Sequence, residues 1–557
     1  MTIKDCLNRA ADESPDAVAL KYKRDGAWQT TTFSELRERV WHVSEMLAKL
    51  GVGKGDRVAI CRENSPEWFE IYYGIVGIGA TAVPVDAKLR EQEMGHIFHD
   101  CGVSAIFCSA RLTAVLDGMN LRDLRAVVVL DCDGQQLPSG EKVEYLAYAE
   151  FWDEVSAVAL SGERAFDRTG PDEDSPASFL YTSGTTGRQK GAVLTHRNFM
   201  SNVESIAKAI DIRHTDNFML VLPLHHSFAF TCNMLTPLYA RCQISMVESL
   251  KTIKGNMAEC SPTVLLAVPL LLEKMLSRIM DGIRASKPAS LMYRFGLAKV
   301  IGKKIQQGLG GSLRLIVSGG APISPSTLQA WTKLGVPIAE GYGITETAPV
   351  LTLNPIASPR IGTVGLPVSG VEIKIADPNP EEVGEIITRG ENVMQGYFNN
   401  PEETEKVLVD GWYHTGDLGR IDEKGYIVIS GRKKSLIVNR EGKNIYPEEV
   451  ERQVLKSDYV LECLAIGYRE PGEDAGERVG LIAVPNQEVF DAMEDREGKR
   501  LTEQQIEDLL REDVRKQLAE LSNYKQPRKI EVRFEEFEKT TTQKIKRYLY
   551  AIDTAGR

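Results

Sequence analysis

YTSGTTGRQKGAVLTH, Tyr181 to His196, follows directly on an apolar run, Ala177 to Leu180. It carries the hydroxyls of Thr182, Ser183, Thr185 and Thr186, the glycines Gly184 and Gly187, and Lys190, with Gly191 behind the lysine. Hydroxyls donate to anionic oxygens, glycines let the backbone come close, and a lysine supplies point charge, which suits a loop that holds phosphate. It is not the G-x-x-x-x-G-K-[ST] loop, because Arg188 and Gln189 separate Gly187 from Lys190 and no hydroxyl follows the lysine. A solvated turn is the other reading of such a run, and the stretch alone leaves both open.

A chain of 557 residues is expected to form two or more domains. Lys and Arg number 67 against 78 Asp and Glu, a net charge of −11. That balance argues against a general basic surface for nucleic acid. Nine cysteines are scattered without a CxxC pair, the pattern of reduced thiols in a cytosol. The first residues, MTIKDCLNRAADESPD, lack the apolar centre of a secretory signal. Phe218 to Ala240 is apolar, but it holds two histidines, two prolines and an asparagine, so a buried strand–loop–helix is expected rather than a bilayer span.

The first part of the chain alternates strands and helices. Strands are expected at Arg57–Cys61, Thr81–Val85, Val103–Cys108, Val127–Leu130, Val264–Val268 and Leu313–Val317. A helix opens at Ser65-Pro66-Glu67 and another lies near Glu91–Asp100. After about residue 355, short β-like runs follow at Val371–Ile375, Gly384–Thr388 and Tyr426–Ile429. From Gly431 the chain turns strongly charged. A helix from Tyr446, strands at Leu461–Gly467 and Val479–Val484, a helix over Glu503–Leu521 and a strand at Ile530–Phe534 describe a small α+β domain.

YTSGTTGRQKG is similar to the signature loop of the adenylate-forming superfamily, and the family's other motifs follow in order. They are PLHHSF (223–228), SGGAP (318–322), EGYGITET (340–347), GEIITRG (384–390), YHTGDLG (413–419), GRKKSLI (431–437), GKNIYPEEVE (442–451) and KTTTQKIKR (539–547). The resemblance spans essentially the whole chain. It implies an α/β fold: a large N-terminal domain of two α/β subdomains plus a β-rich, barrel-like subdomain (1–430), a hinge (431–434), and a small mobile α+β lid (435–557).

Members of this superfamily join a carboxylic acid to AMP with release of pyrophosphate, then pass the acyl group to a thiol. The resemblance therefore implies ATP, Mg²⁺ and coenzyme A. It gives Thr182, Ser183, Gly184, Thr185, Thr186, Gly187 and Lys190 to the outer phosphates. Gly319, Gly320, Ala321 and Pro322 would line the adenine, with Glu340, Gly341 and Gly343 around it and Tyr342 stacked upon it. Thr345 would touch the α-phosphate and Glu346 would ligate Mg²⁺. Asp417 would accept the ribose hydroxyls beside Arg432, and Ile429 would also face the nucleotide. His226 would sit where the carboxylate approaches; a histidine satisfied within the core is the alternative for that residue. Lys544 would meet charge developing at the α-phosphate, although Gln543 stands where the family has glycine. Lys434 takes the hinge position, and Gly442 would leave room for the pantetheine arm.

GYGITETAPVLTLNP, IGTVGLPVSGVEIKIAD and GRKKSLIVNREGKNIYPEEVE are most similar to long-chain fatty acyl-CoA synthetases. Phe228 and Phe230 fall where relatives line the acyl pocket, and no aspartate occurs in residues 227–247 to meet an amino acid's ammonium. Ordinary core packing is the other reading of both rings. Residues 273–304 carry eight Lys or Arg against two acids among apolar residues, either a solvated helical face or a surface for an anionic bilayer. Three functions stay open: a fatty acyl-CoA ligase of the cytoplasm, a relative using an aryl acid or a carrier protein's pantetheine, and a non-catalytic acyl-binding protein. A peripheral membrane contact and a homodimer are left undecided.

Overall fold

The β-branched runs Arg57–Cys61, Thr81–Val85, Ala105–Cys108 and Ala126–Val129 lie in one parallel sheet, nearly every residue buried from both faces. Continuous apolar runs of this kind belong to parallel strands covered by helices on both sides. The computed structural model describes residues 1–132, 136–138, 143–162, 164–168, 170–183, 188–470, 476–498, 500–539 and 545–552. These form two compact units, Met1–Ile373 with Thr388–Tyr413, and Lys374–Ile387 with His414–Arg557.

The first unit contains two large sheets. The eight-stranded one runs Gly396–Tyr397, Gln189–Thr195, Pro176–Ser183, Thr81–Val85, Arg57–Cys61, Ala105–Cys108, Ala126–Val129, Glu144–Ala147. In the nine-stranded one, Ile338–Gly343, Leu315–Ser318, Val264–Ala267, Asn217–Leu220 and Gln243–Met246 are successive parallel neighbours. Two α/β layers are therefore present, as expected. Several expected strands shift by a residue or two: Val103 and Ser104 precede their strand, and Leu313 precedes Leu315–Ser318. Ser65 stands at the N-cap of helix Pro66–Gly77 with proline at N1, but its hydroxyl does not cap.

The apolar stretch from Phe218 folds as a buried strand (Asn217–Leu220), a loop and the helical turns Ser227–Phe230, Thr231–Leu235 and Thr236–Ala240, the middle one a π-turn. Among the described residues no helix is long and apolar enough to cross a membrane.

In the second unit, Val460–Tyr468, Arg478–Pro485 and Lys529–Val532 form a three-stranded sheet. Helices Pro447–Val454 and Glu503–Leu518 cover it by packing Val450, Val454, Leu510, Val514 and Leu518 on Cys463, Ala465, Leu481 and Ala483. A separate hairpin pairs Asp417–Ile421 with Ile427–Arg432.

The signature stretch ends in the start of a helix. Thr195 caps His196–Ala209, with Asn198 returning the bond from its side chain. The His196 ring, fully buried, accepts a hydrogen bond from the Ile3 amide at 3.1 Å. Burial lowers it from 6.5 to about 4. Between those values the unfolded chain takes up a proton that the folded chain refuses, so this contribution to stability grows with pH and is lost as pH falls through the window. Urea unfolding at pH 7 and pH 5 is expected to show a drop about 2 kcal/mol larger for wild type than for His196→Gln. Equal drops exclude the assignment.

Candidate active site

Strands Pro176–Ser183 and Gln189–Thr195 are antiparallel, with Thr182 opposite Lys190 and Tyr181 opposite Gly191. Gly184, Thr185, Thr186 and Gly187, assigned to the loop between them, lie outside the described residues, as does Lys544. The Tyr181 hydroxyl donates to Asp100 Oδ2 at 2.6 Å, tying the hairpin to helix Glu91–Cys101. A Cβ at position 191 would stand 3.0 Å from the Tyr181 ring, so glycine makes room for that tie.

Residues 391–398 lie along the outer side of strand Gln189–Thr195. Gln395 N donates to Val193 O at 3.0 Å and Phe398 N to Gly191 O at 2.8 Å. This brings Tyr397 to both charged groups of the site: its hydroxyl donates to Glu346 Oε1 at 2.8 Å, and Lys190 Nζ lies 5.3 Å from its ring centre. Lys190 pairs with Glu403 of helix Pro401–Val407. The hydrogen bond from Lys190, then that from Lys406, holds the Glu403 carboxyl down at about 2.

The EGYGITET stretch forms strand Ile338–Gly343 and the turn Thr345–Thr347. A Cβ at Gly343 would stand 2.0 Å from Pro349 O, so any side chain there forces the backbone apart. Asn202 exchanges two hydrogen bonds with Val350, Asn392 Nδ2 donates to Thr347 O at 2.8 Å, and Met394 N donates to Glu346 O at 2.9 Å. Thr345 and Glu346 are thus held by backbone contacts on two sides. Tyr342 stands in the strand opposite Thr352, and Gly341 opposite Leu353. Glu340, nearly buried, accepts at its carbonyl from Asn354 N at 2.8 Å.

Thr345 Oγ1 lies 3.1 Å from Ser227 Oγ, which joins this turn to PLHHSF. There the ring nitrogens Nε2 of His225 and His226 are 3.1 Å apart, and His225 Nε2 is 3.5 Å from Asp86 Oδ2. Burial, with Lys88 adding to it, lowers His225 to about 4, so its ring is neutral at physiological pH. Gly319 and Gly320 follow strand Leu315–Ser318, Gly320 at φ +83°, with Ala321 and Pro322 exposed beyond them. A Cβ on Gly319 would come within 3.1 Å of the Phe228 ring. Phe230, in contrast, is fully buried among Trp68, Tyr72 and Phe199, with the Tyr72 ring centre 4.8 Å away. The two phenylalanines serve different surroundings.

In the second unit Asp417 stands opposite Arg432, and Arg432 Nε meets Asp417 Oδ1 at 2.6 Å. Ile429 stands opposite Gly419 one step along the ladder. Glu385 accepts from Lys433 Nζ at 2.9 Å and Gly416 N at 3.1 Å, and lies 3.1 Å from His414 Nδ1. Burial raises the Glu385 carboxyl, but the bonds from Lys433 and His414 outweigh it and hold it low. Lys434 is exposed on the turn Lys433–Ser435. Gly442, at φ +73°, closes the tight turn between Ile437–Val438 and Asn444–Ile445, with open space where a side chain would go.

Tyr397 and Glu403 did not emerge from the sequence. The nearest signal is GYFNNPEE, a glycine–tyrosine pair before an Asn-Pro helix start, which by itself reads as a turn.

With a deformable glycine-edged hairpin, a lysine and an oriented carboxylate, the first unit is built as an enzyme's nucleotide site. A profile of the family described as "AMP-binding enzyme" matches residues 7–398. The chain belongs to that family. A "Long-chain-fatty-acid--CoA ligase" of Salmonella typhimurium is 31% identical over 543 residues, 93% of this chain and 89% of that protein. "Long-chain-fatty-acid--CoA ligase FadD15" of Mycobacterium bovis is 28% identical over 532 residues, 87% of this chain and 82% of that one. Among solved structures, ATP-bound MatB from Rhodopseudomonas palustris superposes with a TM-score of 0.77 at 27% identity, over 99% of this chain and 98% of that one.

An arriving polyphosphate must draw Lys190 away from Glu403, an ion pair near the surface that is worth at most about 1 kcal/mol. Glu403→Gln is therefore expected to tighten ATP binding up to about fivefold, and Lys190→Gln to weaken it, by calorimetry. Weaker binding in Glu403→Gln shows that the carboxylate supports the nucleotide instead.

Proposed function

We propose that the protein is an AMP-forming ligase that activates a medium- to long-chain fatty acid with ATP and transfers the acyl group to coenzyme A. The observation that supports this most is the joining of Lys190, Tyr397, Glu346 and Thr345 through the contacts of residues 391–398 and Ser227. Family membership supports the nucleotide, and the names of the long-chain relatives support the acid and the acceptor.

The residues suit the group they would hold. Lys190 supplies charge to the outer phosphates, and Gly319 and Gly320 admit a flat base close to the backbone. Asp417, steadied by Arg432, offers two oxygens to a ribose. Among the described residues no three His, Cys, Asp or Glu could hold a metal by themselves. That suits Mg²⁺ brought in on phosphate, with Glu346 as its protein ligand, oriented by the Tyr397 hydroxyl.

In the first step an oxygen of the carboxylate bonds to the α-phosphorus while the bond to pyrophosphate breaks. The neutral His225–His226 pair leaves the incoming carboxylate's charge unquenched, and Thr345 and Lys544 stabilise charge at the α-phosphate. In the second, the thiol sulfur bonds to the acyl carbon and AMP leaves with the electron pair. The lid, 435–557, turns about Lys434 between the steps, withdrawing Lys544 and presenting the Gly442 turn. Phe228 and Phe230 belong to the acyl side of this reading. An acid of this kind dissolves in bilayers, which makes a peripheral membrane contact part of it. Transfer to a carrier protein's pantetheine follows the same chemistry and is the second reading.

Each apolar CH₂ buried contributes roughly 0.8 kcal/mol, so kcat/KM for acids of eight carbons or more is expected at least about tenfold above acetate. A profile peaking at acetate or benzoate, measured by acid-dependent pyrophosphate exchange, sinks the fatty-acid reading. Parallel assays with coenzyme A and acyl carrier protein separate the two acceptors, and absence of exchange with every acid leaves only an acyl-binding protein.

The two faces of the lid are expected to fail in different half-reactions. Lys544→Ala removes a preorganised charge and should slow exchange by ~10²–10³, while supplied acyl-adenylate still reacts with coenzyme A. Gly442→Leu, a side chain forced onto a left-handed backbone, should keep exchange and lose thioester formation. Loss of the same half-reaction in both variants refutes the rotation.

A further inference from the structure

Residues 282–314 contain seven Lys or Arg and no acid, in a chain whose net charge is −11. They finish helix Pro269–Ala285 and form helices Lys287–Arg294 and Ala298–Gly308, joined by a sharp corner at Phe295-Gly296-Leu297. Gly296 at φ +81° and a hydrogen bond from Leu297 N to Met292 O at 2.9 Å close that corner.

The corner is apolar where a solvated turn would be polar. Phe295 is 75% exposed, Leu291 57%, Val300 52% and Leu297 49%, and helix Lys287–Arg294 has no buried residue. Isolated exposed apolar side chains are ordinary, but four within ten residues form a patch. Around it stand Lys287, Arg294, Lys299, Lys303 and Lys304, all exposed. Among the described residues none of these five is in an ion pair, whereas Arg284 meets Asp281 and Arg314 meets Asp216.

Exposed apolar side chains ringed by unpaired cations complement one kind of partner, a surface with an apolar interior and an anionic face. We propose that the corner of helices Lys287–Arg294 and Ala298–Gly308 docks the protein on an anionic lipid bilayer. Phe295, Leu291, Leu297 and Val300 enter the acyl boundary, and the lysines lie at the headgroups. Resting on the proposed fatty-acid activity, this surface lets the enzyme take its acid from the membrane that dissolves it.

The test is co-sedimentation of the full chain with vesicles of phosphatidylcholine alone or mixed with phosphatidylglycerol, at low and high salt. The wild type is expected to pellet with the mixed vesicles and to be released by salt. Leu291→Ser with Phe295→Ser, and separately Lys299→Glu with Lys303→Glu and Lys304→Glu, are each expected to lower partitioning at least about 100-fold. All these residues are exposed, so thermal unfolding should match wild type. Thioester formation from soluble octanoate should be unchanged, while that from palmitate held in mixed vesicles falls. Failure to pellet, equal pelleting on neutral vesicles, or unchanged pelleting of both variants overturns the proposal. A dimer in velocity sedimentation that dissociates in Leu291→Ser with Phe295→Ser also overturns it, because the patch then belongs to a second copy. If octanoate itself supports no exchange, the fatty-acid activity fails while lipid binding still stands or falls on the vesicles.

Discussion

The backbone hydrogen bonds that seat residues 391–398 on strand Gln189–Thr195 carry the rest of the first unit's site. Gly396 and Tyr397 become the edge strand of the eight-stranded sheet, and helix Pro401–Val407 follows immediately. From that one attachment Tyr397 reaches Glu346, Glu403 reaches Lys190, and Met394 holds the backbone of Glu346. Without it, a carboxylate and a lysine 156 positions apart would have no common frame. Main-chain ladder bonds suit this task because they fix position with little dependence on side-chain rotamers.

Each carboxylate at the candidate site already has a partner. Glu346 accepts from a phenol, Glu403 from an ammonium, Asp417 from a guanidinium, and Glu385 from an ammonium and an amide. Groups held this way present their oxygens in one direction and need little reorganisation when a charged substrate arrives. His225 shows the complementary device: burial keeps it neutral beside Asp86, so the entrance for an acid carries no imidazolium.

Glycines mark where backbone must approach backbone or ring. Gly191 yields to Tyr181, Gly319 to Phe228, and Gly343 to the Pro349 carbonyl. In the sequence these look like loop punctuation. Only the last of them is intolerant of a methyl group because of main chain rather than a side chain that can move.

The alternation of short apolar strands and capped helices through residue 340 was legible because buried parallel strands need unbroken apolar runs, and Arg57–Cys61 and Thr81–Val85 form where those runs lie. The order of the motifs identified the family for a related reason: catalysis at phosphate constrains residue types locally, as in the Thr182–Lys190 and EGYGITET stretches. Pairings between distant segments were not legible. Tyr397 and Glu403 reach the site by strand addition, and Asp417 meets Arg432 through hairpin register, neither of which leaves a periodicity in the chain. The sequence also offered Phe228 and Phe230 as equivalents, but successive turns of the helical segment direct one ring to Gly319 and bury the other among Trp68, Tyr72 and Phe199. Local propensity and local chemistry are written residue by residue. Which face a side chain takes, and which distant partner it finds, is decided only when the sheets close around a shared core.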